Sequence, residues 1–128
     1  MKVLLDTHAF VWHVAGAPEE SKACREVLLS NDNQVLVSIA CCWEMAIKLS
    51  TQKLDFEGPI ERYVREALAL YGFQLLGIEL AHLSAVESMP FHHRDPFDRM
   101  LVAQALVESV PIVSRDPQLD AYGVQRIW

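Results

Sequence analysis

The chain has 128 residues, enough for one ordinary domain with one core and too few for two. Its hydrophobic fraction of 52% and charged fraction of 22% are those of a folded domain and exclude a disordered segment. The net charge of -6 argues against broad, nonspecific nucleic-acid binding through a basic stripe, yet leaves room for a nucleic-acid enzyme whose acidic metal site supplies several of the charges.

In chain order, "KVLL" reads as a short buried strand. "THAFVWHVAGAPEES" reads as a helix ended by Gly16 and Pro18. Residues 20–31 make an amphipathic helix, with "NDN" as the turn after it, and "QVLVS" (34–38) is a second buried strand. "IACCWEMAIKLSTQKL" reads as a helix that places Glu44 and Lys48 one turn apart. A helix over 59–71 stops at Gly72, and "FQLLGI" (73–78) is a third strand. "ELAHLSAVESM" is a short helix closed by Pro90, and the helix after Pro96 runs to Ser109. "PIVS" (111–114) is a fourth strand and "VQRIW" (124–128) a fifth, at an edge. Short apolar strands alternating with helices predict a single α/β domain over 1–128, with a mainly parallel sheet of four or five strands covered on both faces.

The three cysteines are odd in number, Cys41 and Cys42 are adjacent, and no CxxC is present. They read as reduced, buried small residues of a cytoplasmic protein. Asp6 interrupts the apolar run after "VLL", so the N-terminus does not read as a signal peptide. No stretch is apolar for long enough to span a membrane as a helix.

In open parallel sheets, ligands gather at the carboxyl ends of the strands. Asp6 follows the first strand directly and Asp116 lies just past the fourth. Glu44 sits within the helix after the second strand, among apolar neighbours, and Asp98 lies in the first turn of the helix that begins at Pro96. Structural readings exist for each. Asp95-Pro96 is a helix cap followed by an N1 proline, Asp116-Pro117 repeats it, Asp6 can cap the helix after it, and Glu44 can pair with Lys48. Together, however, four carboxylates at one sheet edge repel one another, which a fold tolerates when a cation joins them. All-oxygen ligands of this kind suit Mg2+ or Mn2+.

Other residues carry bland readings. His92 and His93 lack a partner at metal-ligand spacing and read as a solvated, RNA-contacting loop. His8 and His13 read as packed or helix-surface residues. Arg94, Arg99 and Arg115 each balance a neighbouring carboxylate, or as a group hold phosphates. Trp43 reads as core. "AFVWHVA" is apolar nearly all round, which means burial or a partner surface.

The ordered set "LLDTHAFVW", "VSIACCWEMAIK", "MPFHHRDPFDRMLVAQA", "PIVSRD" and "YGVQRIW" resembles the PIN-domain ribonucleases, and more narrowly the VapC-type toxins of type II toxin–antitoxin modules. The resemblance runs from Leu4 to Trp128. It implies a PIN-like, flavodoxin-like α/β/α sandwich and RNA hydrolysis at a carboxylate site with Mg2+ or Mn2+. Carried over residue by residue, the catalytic acids are Asp6, Glu44, Asp98 and Asp116, the four already selected at the sheet edge. Asp6 and Asp98 are assigned as the direct metal ligands. Thr7 and Ser114 match hydroxyl positions beside the site, Asp95 matches a recurrent acid, and Arg99 is an accessory candidate. The implied partners are an RNA substrate, a small cognate antitoxin and a second copy of the chain in a homodimer, all in the cytoplasm. Two departures stand out: the family often has Ser where Cys41 or Cys42 stands, and Gly where Gln52 precedes "KL".

Two rivals remain. A receiver-type phosphoryl-transfer domain would need a second acid beside Asp6, and Thr7-His8 supply none. A catalytically weak or inactive PIN-fold module that binds RNA or protein would keep the same acids and differ only in a cleavage assay.

Overall fold

Five strands form one sheet, β1 (Lys2–Leu5), β2 (Gln34–Ser38), β3 (Gln74–Leu76), β4 (Ile112–Val113) and β5 (Arg126–Ile127). Their order is β3-β2-β1-β4-β5 and every pairing is parallel. The computed structural model describes all residues from Met1 to Trp128. Six α-helices connect the strands: α1 (Thr7–Ala15), α2 (Lys22–Leu29), α3 (Ile39–Ser50), α4 (Ile60–Tyr71), α5 (Leu80–Ser88) and α6 (Pro96–Glu108). A 3-10 turn over Pro117–Tyr122 precedes β5.

Successive strand residues point to opposite faces, and both faces of the central strands are buried, so Val3–Leu5, Val35–Val37 and Ile112–Val113 are apolar without alternation, while the edge strands β3 and β5 carry Gln74 and Arg126. Val3, Leu5, Val35, Val37 and Val113 meet Phe10 of α1, Leu28 of α2 and Val64 of α4 in one core. Leu4, Leu36 and Ile112 meet Leu101, Val102 and Ala105 of α6 in the other, with Val86 of α5 packed against it. Helix α3 gives Met45 to the first core and Cys41 to the second, so it belongs to both layers. The α/β/α sandwich expected from the sequence is the fold, and the fifth strand pairs at the edge. No helix is long and apolar enough to cross a membrane.

One buried polar clip ties the layers. Gln104 is fully buried; its amide oxygen accepts from the Ser38 hydroxyl at 2.5 Å and its nitrogen donates to the Gly77 carbonyl at 3.2 Å. Both ends of the amide are satisfied, as burial requires. Burial pushes the Cys24 thiol up to about 12 and the Cys42 thiol up to about 11, which keeps both protonated and unreactive.

The chain departs from the sequence reading at several boundaries. The helix read through Leu54 ends at Ser50, because Gln52 turns into the left-handed region at φ 60°. The amides of Lys53 and Leu54 then bond back to the Lys48 carbonyl. This is the position where the resembled family often has glycine, the residue that occupies such a conformation without strain. Helix α2 starts at Lys22 rather than 20, since the Ser21 side chain caps it by accepting from the Cys24 amide at 3.0 Å. Trp43, read as core, is 60% exposed, its ring set edge-to-face with that of Phe97 at 5.1 Å between centroids.

Candidate active site

Register decides what gathers at the carboxyl edge. Leu5 pairs with Val37 on one side and Val113 on the other. The next residues, Asp6, Ser38 and Ser114, therefore emerge level with one another, beside the switch point between β1 and β4. All three are buried.

Asp6 caps α1: its Oδ1 accepts from the Ala9 amide at 2.8 Å. Asp95 caps α6, its Oδ1 accepting from Phe97 at 2.8 Å and Asp98 at 3.1 Å. Asp116 caps the 3-10 turn, its Oδ1 accepting from Gln118 at 2.9 Å, and its own amide donates to Ser114 Oγ at 3.1 Å. The capping reading and the site reading are thus compatible. In Asp6 and Asp116 one carboxylate oxygen closes the backbone while the other remains for the cleft. The helix N-termini at Asp6, Ser38 and Asp95 also turn their positive ends toward the acids.

Asp6, Asp98 and Asp116 line one open cleft of about 350 Å³, together with His8, Trp12 and Arg115. Glu44 lies behind them, buried, and acts electrostatically on both Asp6 and Asp98. Its Oε1 accepts the Thr7 hydroxyl at 2.6 Å and its Oε2 lies 2.9 Å from Lys48 Nζ. Thr7 and Ser114, the hydroxyl positions picked out by sequence, thus hold Glu44 and the Asp116 turn.

Crowding shows in the electrostatics. Burial raises the Asp98 carboxyl to about 7, with Asp95, Glu44 and Asp6 pushing in the same direction and His93 opposing them. Burial also raises Asp6, partly offset by the Ser114 hydroxyl and the Ala9 amide. Desolvated, mutually repelling carboxylates take up protons or a cation.

Two residues stand elsewhere than the sequence suggested. His93, read as part of a solvated loop, lies inside the acid cluster: its Nε2 is 3.0 Å from Asp116 Oδ2 and 3.3 Å from Asp98 Oδ2. These three side chains form one group in which a metal ion could be held. The loop is drawn in by the His93 amide, which donates to Tyr122 Oη at 2.9 Å. Its only sequence signal was proximity to Asp95 and Asp98. Arg99, in contrast, is brought away from the acids. Its buried guanidinium donates to the carbonyls of Pro90 (2.8 Å), Val86 (3.2 Å) and Met89 (3.3 Å) and to Tyr122 Oη (3.2 Å). It fastens the end of α5, and a phosphate contact would require breaking that network.

Comparison with known proteins agrees with this fold. A family model described as "PIN domain" matches residues 3–125. No curated protein matches the sequence. Among solved structures, VapBC2 from Rickettsia felis, bound to a DNA fragment from its promoter, aligns with a TM-score of 0.72 at 11% identity, over 98% of this chain and 97% of that one. FitAcB from Neisseria gonorrhoeae aligns at 0.68 and 17% identity, over 97% and 95% of the two chains. A toxin–antitoxin complex from Klebsiella pneumoniae aligns at 0.61 and 16% identity, over 89% and 86%. With a family model matching nearly its whole length and the strand order and acid-lined edge described above, this chain belongs to the PIN domain family.

Proposed function

We propose that the chain is a metal-dependent ribonuclease, the toxin of a toxin–antitoxin pair acting in the cytoplasm. The observation that carries this reading is the convergence of Asp6, Asp98 and Asp116 on one cleft, with Glu44 behind them. The donor set fits Mg2+ or Mn2+: it is rich in carboxylate oxygen, and Asp98 is raised to about 7 among like charges, a penalty that a divalent cation relieves. Asp6 and Asp98 would hold the ion, with Asp116 beside them and Glu44 in support.

When bound, the ion supplies Lewis acidity and a water of lowered pKa for attack on a phosphodiester. The protein's own contribution is placement. The caps on α1 and the 3-10 turn fix the rotamers of Asp6 and Asp116. Thr7 and Lys48 fix Glu44. His93 holds Asp98 and Asp116 at a common point. No side-chain nucleophile is required.

The partner proposals rest on the fold shared with toxin–antitoxin complexes and on exposed apolar surface. Helix α1, suspected from sequence as that surface, is instead packed through Ala9, Phe10 and His13. The exposed apolar residues include Ile39, Trp43, Leu75, Leu80, Leu83 and Phe91, which suit a homodimer contact and an antitoxin segment. Light scattering at tens of micromolar protein tests the dimer, where a monomer counts against it.

The deciding experiment incubates the purified chain with labelled single-stranded RNA in Mg2+, Mn2+ or EDTA, and maps the ends. Cleavage is expected only with metal. Asp6→Asn or Asp98→Asn is expected to lower the rate at least roughly a hundredfold, several kcal/mol of transition-state stabilisation. Undiminished cleavage in EDTA would sink the metal mechanism. RNA bound but left uncut would favour the non-catalytic binding module.

A further inference from the structure

One cation faces the acidic cleft with its donors free. Arg115 is exposed and follows buried Ser114 at the end of β4. Its guanidinium lies 4.8 Å from the centroid of the Trp12 ring, and both side chains line the cleft of Asp6, Asp98 and Asp116. It leans on the indole rather than pairing with Asp116, its neighbour in sequence. The other cations near the site are engaged elsewhere: Lys48 by Glu44, Arg126 by Asp120, and Arg99 by backbone carbonyls. Arg94 lines the apolar groove of Trp43 and Phe97 instead.

Trp12 is itself supported. The Trp128 ring lies 5.8 Å away, tilted by 58°, and the exposed His8 ring lies 5.5 Å away, tilted by 36°. Trp128 in turn packs against the core. The result is an aromatic shelf at the mouth of the acid cleft, carrying a planar cation whose orientation is set before any ligand arrives. Stacked guanidinium groups keep their N–H edge available for phosphate oxygens, and aromatic planes accept nucleobases of any sequence. A free phosphate would use only the cation. A single-stranded nucleic acid offers both an anionic oxygen and a flat base. In a chain of net charge -6, a polyanion also needs a fixed positive contact beside the carboxylates.

We propose that Arg115, presented on Trp12 and flanked by His8, is the subsite for the nucleotide next to the scissile phosphate of single-stranded RNA. This rests on the ribonuclease reading and adds to it the place where the substrate is gripped. Arg115 holds a phosphate oxygen through its N–H edge, and the base stacks on the Trp12–His8 surface.

The test measures KM and kcat for a short single-stranded oligoribonucleotide with Mn2+. The chains are the parent, Arg115→Ala, Arg115→Lys, Trp12→Phe and a remote charge control, Arg62→Ala. Melting curves establish that each is folded. Arg115→Ala is expected to raise KM about tenfold, the loss of one good stacked contact, with a smaller change in kcat. Arg115→Lys should recover only part of this, since lysine keeps the charge and not the plane. Arg62→Ala should leave KM as it is. In parallel, the same oligonucleotide is titrated in Ca2+ while tryptophan fluorescence is followed. Quenching is expected in the parent, should weaken in Arg115→Ala and should largely vanish in Trp12→Phe, although Trp43 and Trp128 remain. Equal KM values for the parent and Arg115→Ala overturn the subsite. Full recovery by lysine overturns the stacked arrangement. If the parent cuts no RNA but shows Arg115-dependent quenching, the nuclease reading falls and the subsite stands. If it neither cuts nor quenches, both fall.

Discussion

His93 Nε2 lies 3.0 Å from Asp116 Oδ2 and 3.3 Å from Asp98 Oδ2, while its Nδ1 accepts the backbone N–H of Asp95 at 3.1 Å. An acceptor at Nδ1 leaves the proton of the neutral ring on Nε2. The imidazole is therefore a donor to Asp116, with the Asp98 carboxylate close beside the same N–H, and its tautomer is set by the backbone N–H of the residue that caps α6. Removing the ring frees Asp98 and Asp116 to separate. His93→Ala is expected to weaken Mn2+ binding by roughly tenfold or more, as loss of an orienting partner does at metal sites. His93→Gln, which keeps a donor, should recover part of it. Isothermal titration calorimetry decides; identical affinities for the parent and His93→Ala would remove the positioning role.

The raised carboxyl of Asp98 makes the metal-free fold sensitive to pH. Its ordinary value is 3.8 and the folded value is about 7, so between these the folded state holds more proton than the unfolded one. Stability from this group is then greatest at low pH and declines as pH rises toward 7. Asp98→Asn deletes the effect. In EDTA at pH 7.5 the variant should be more stable than the parent by roughly 1–2 kcal/mol, a fraction of the full shift because the side chain is still 27% exposed. For a domain of this size that is several degrees in Tm. Millimolar Mg2+ should raise the parent's Tm and scarcely move the variant's. A variant that melts below the parent would make Asp98 a helix-start residue only.

Glu44 depends on Lys48. Its carboxylate is buried and one oxygen lies 2.9 Å from the ammonium, so truncating the lysine leaves a desolvated charge with only the Thr7 hydroxyl. Lys48→Ala is expected to cost about 2 kcal/mol, discounted from a fully buried pair because Lys48 is 29% exposed. Lys48→Ala combined with Glu44→Gln should cost less than the sum of the single changes. Urea denaturation of all four chains measures the coupling, and strict additivity would mean that the pair is inert.

Gln52 holds φ 60° without being glycine. Left-handed geometry costs a side-chain-bearing residue about 1–2 kcal/mol, part of which is offset by the extra freedom glycine has when unfolded. Gln52→Gly should therefore stabilise by about 0.5–1 kcal/mol, whereas Gln52→Ala, with the same Cβ, should not. Thermal melts of both variants check it; equal gains would point to the lost side chain rather than to the backbone.

The sequence alone determined the layers and the positions of the candidate acids along the chain. Apolar runs alternating with amphipathic helices suffice for a parallel α/β sheet, because periodicity is a property of neighbouring residues. Asp6 and Asp116 were legible for the same reason: each follows a buried strand and begins a helical turn, so strand end and cap coincide in one stretch of chain. Even the strain at Gln52 had a local sign, in the glycine usual at that position of the resembled family. What only the tertiary structure decided was which side chains from distant segments meet. His93 joins the acids because Tyr122, 29 residues away, holds its amide. Arg99 leaves them because the rotation of α6 aims it at the carbonyls closing α5. Trp43 stands in solvent on the face of α3 opposite the one that buries Met45 and Glu44. Such outcomes depend on strand register and helix rotation, which arise from packing both faces of the sheet at once, and no single stretch of residues encodes them.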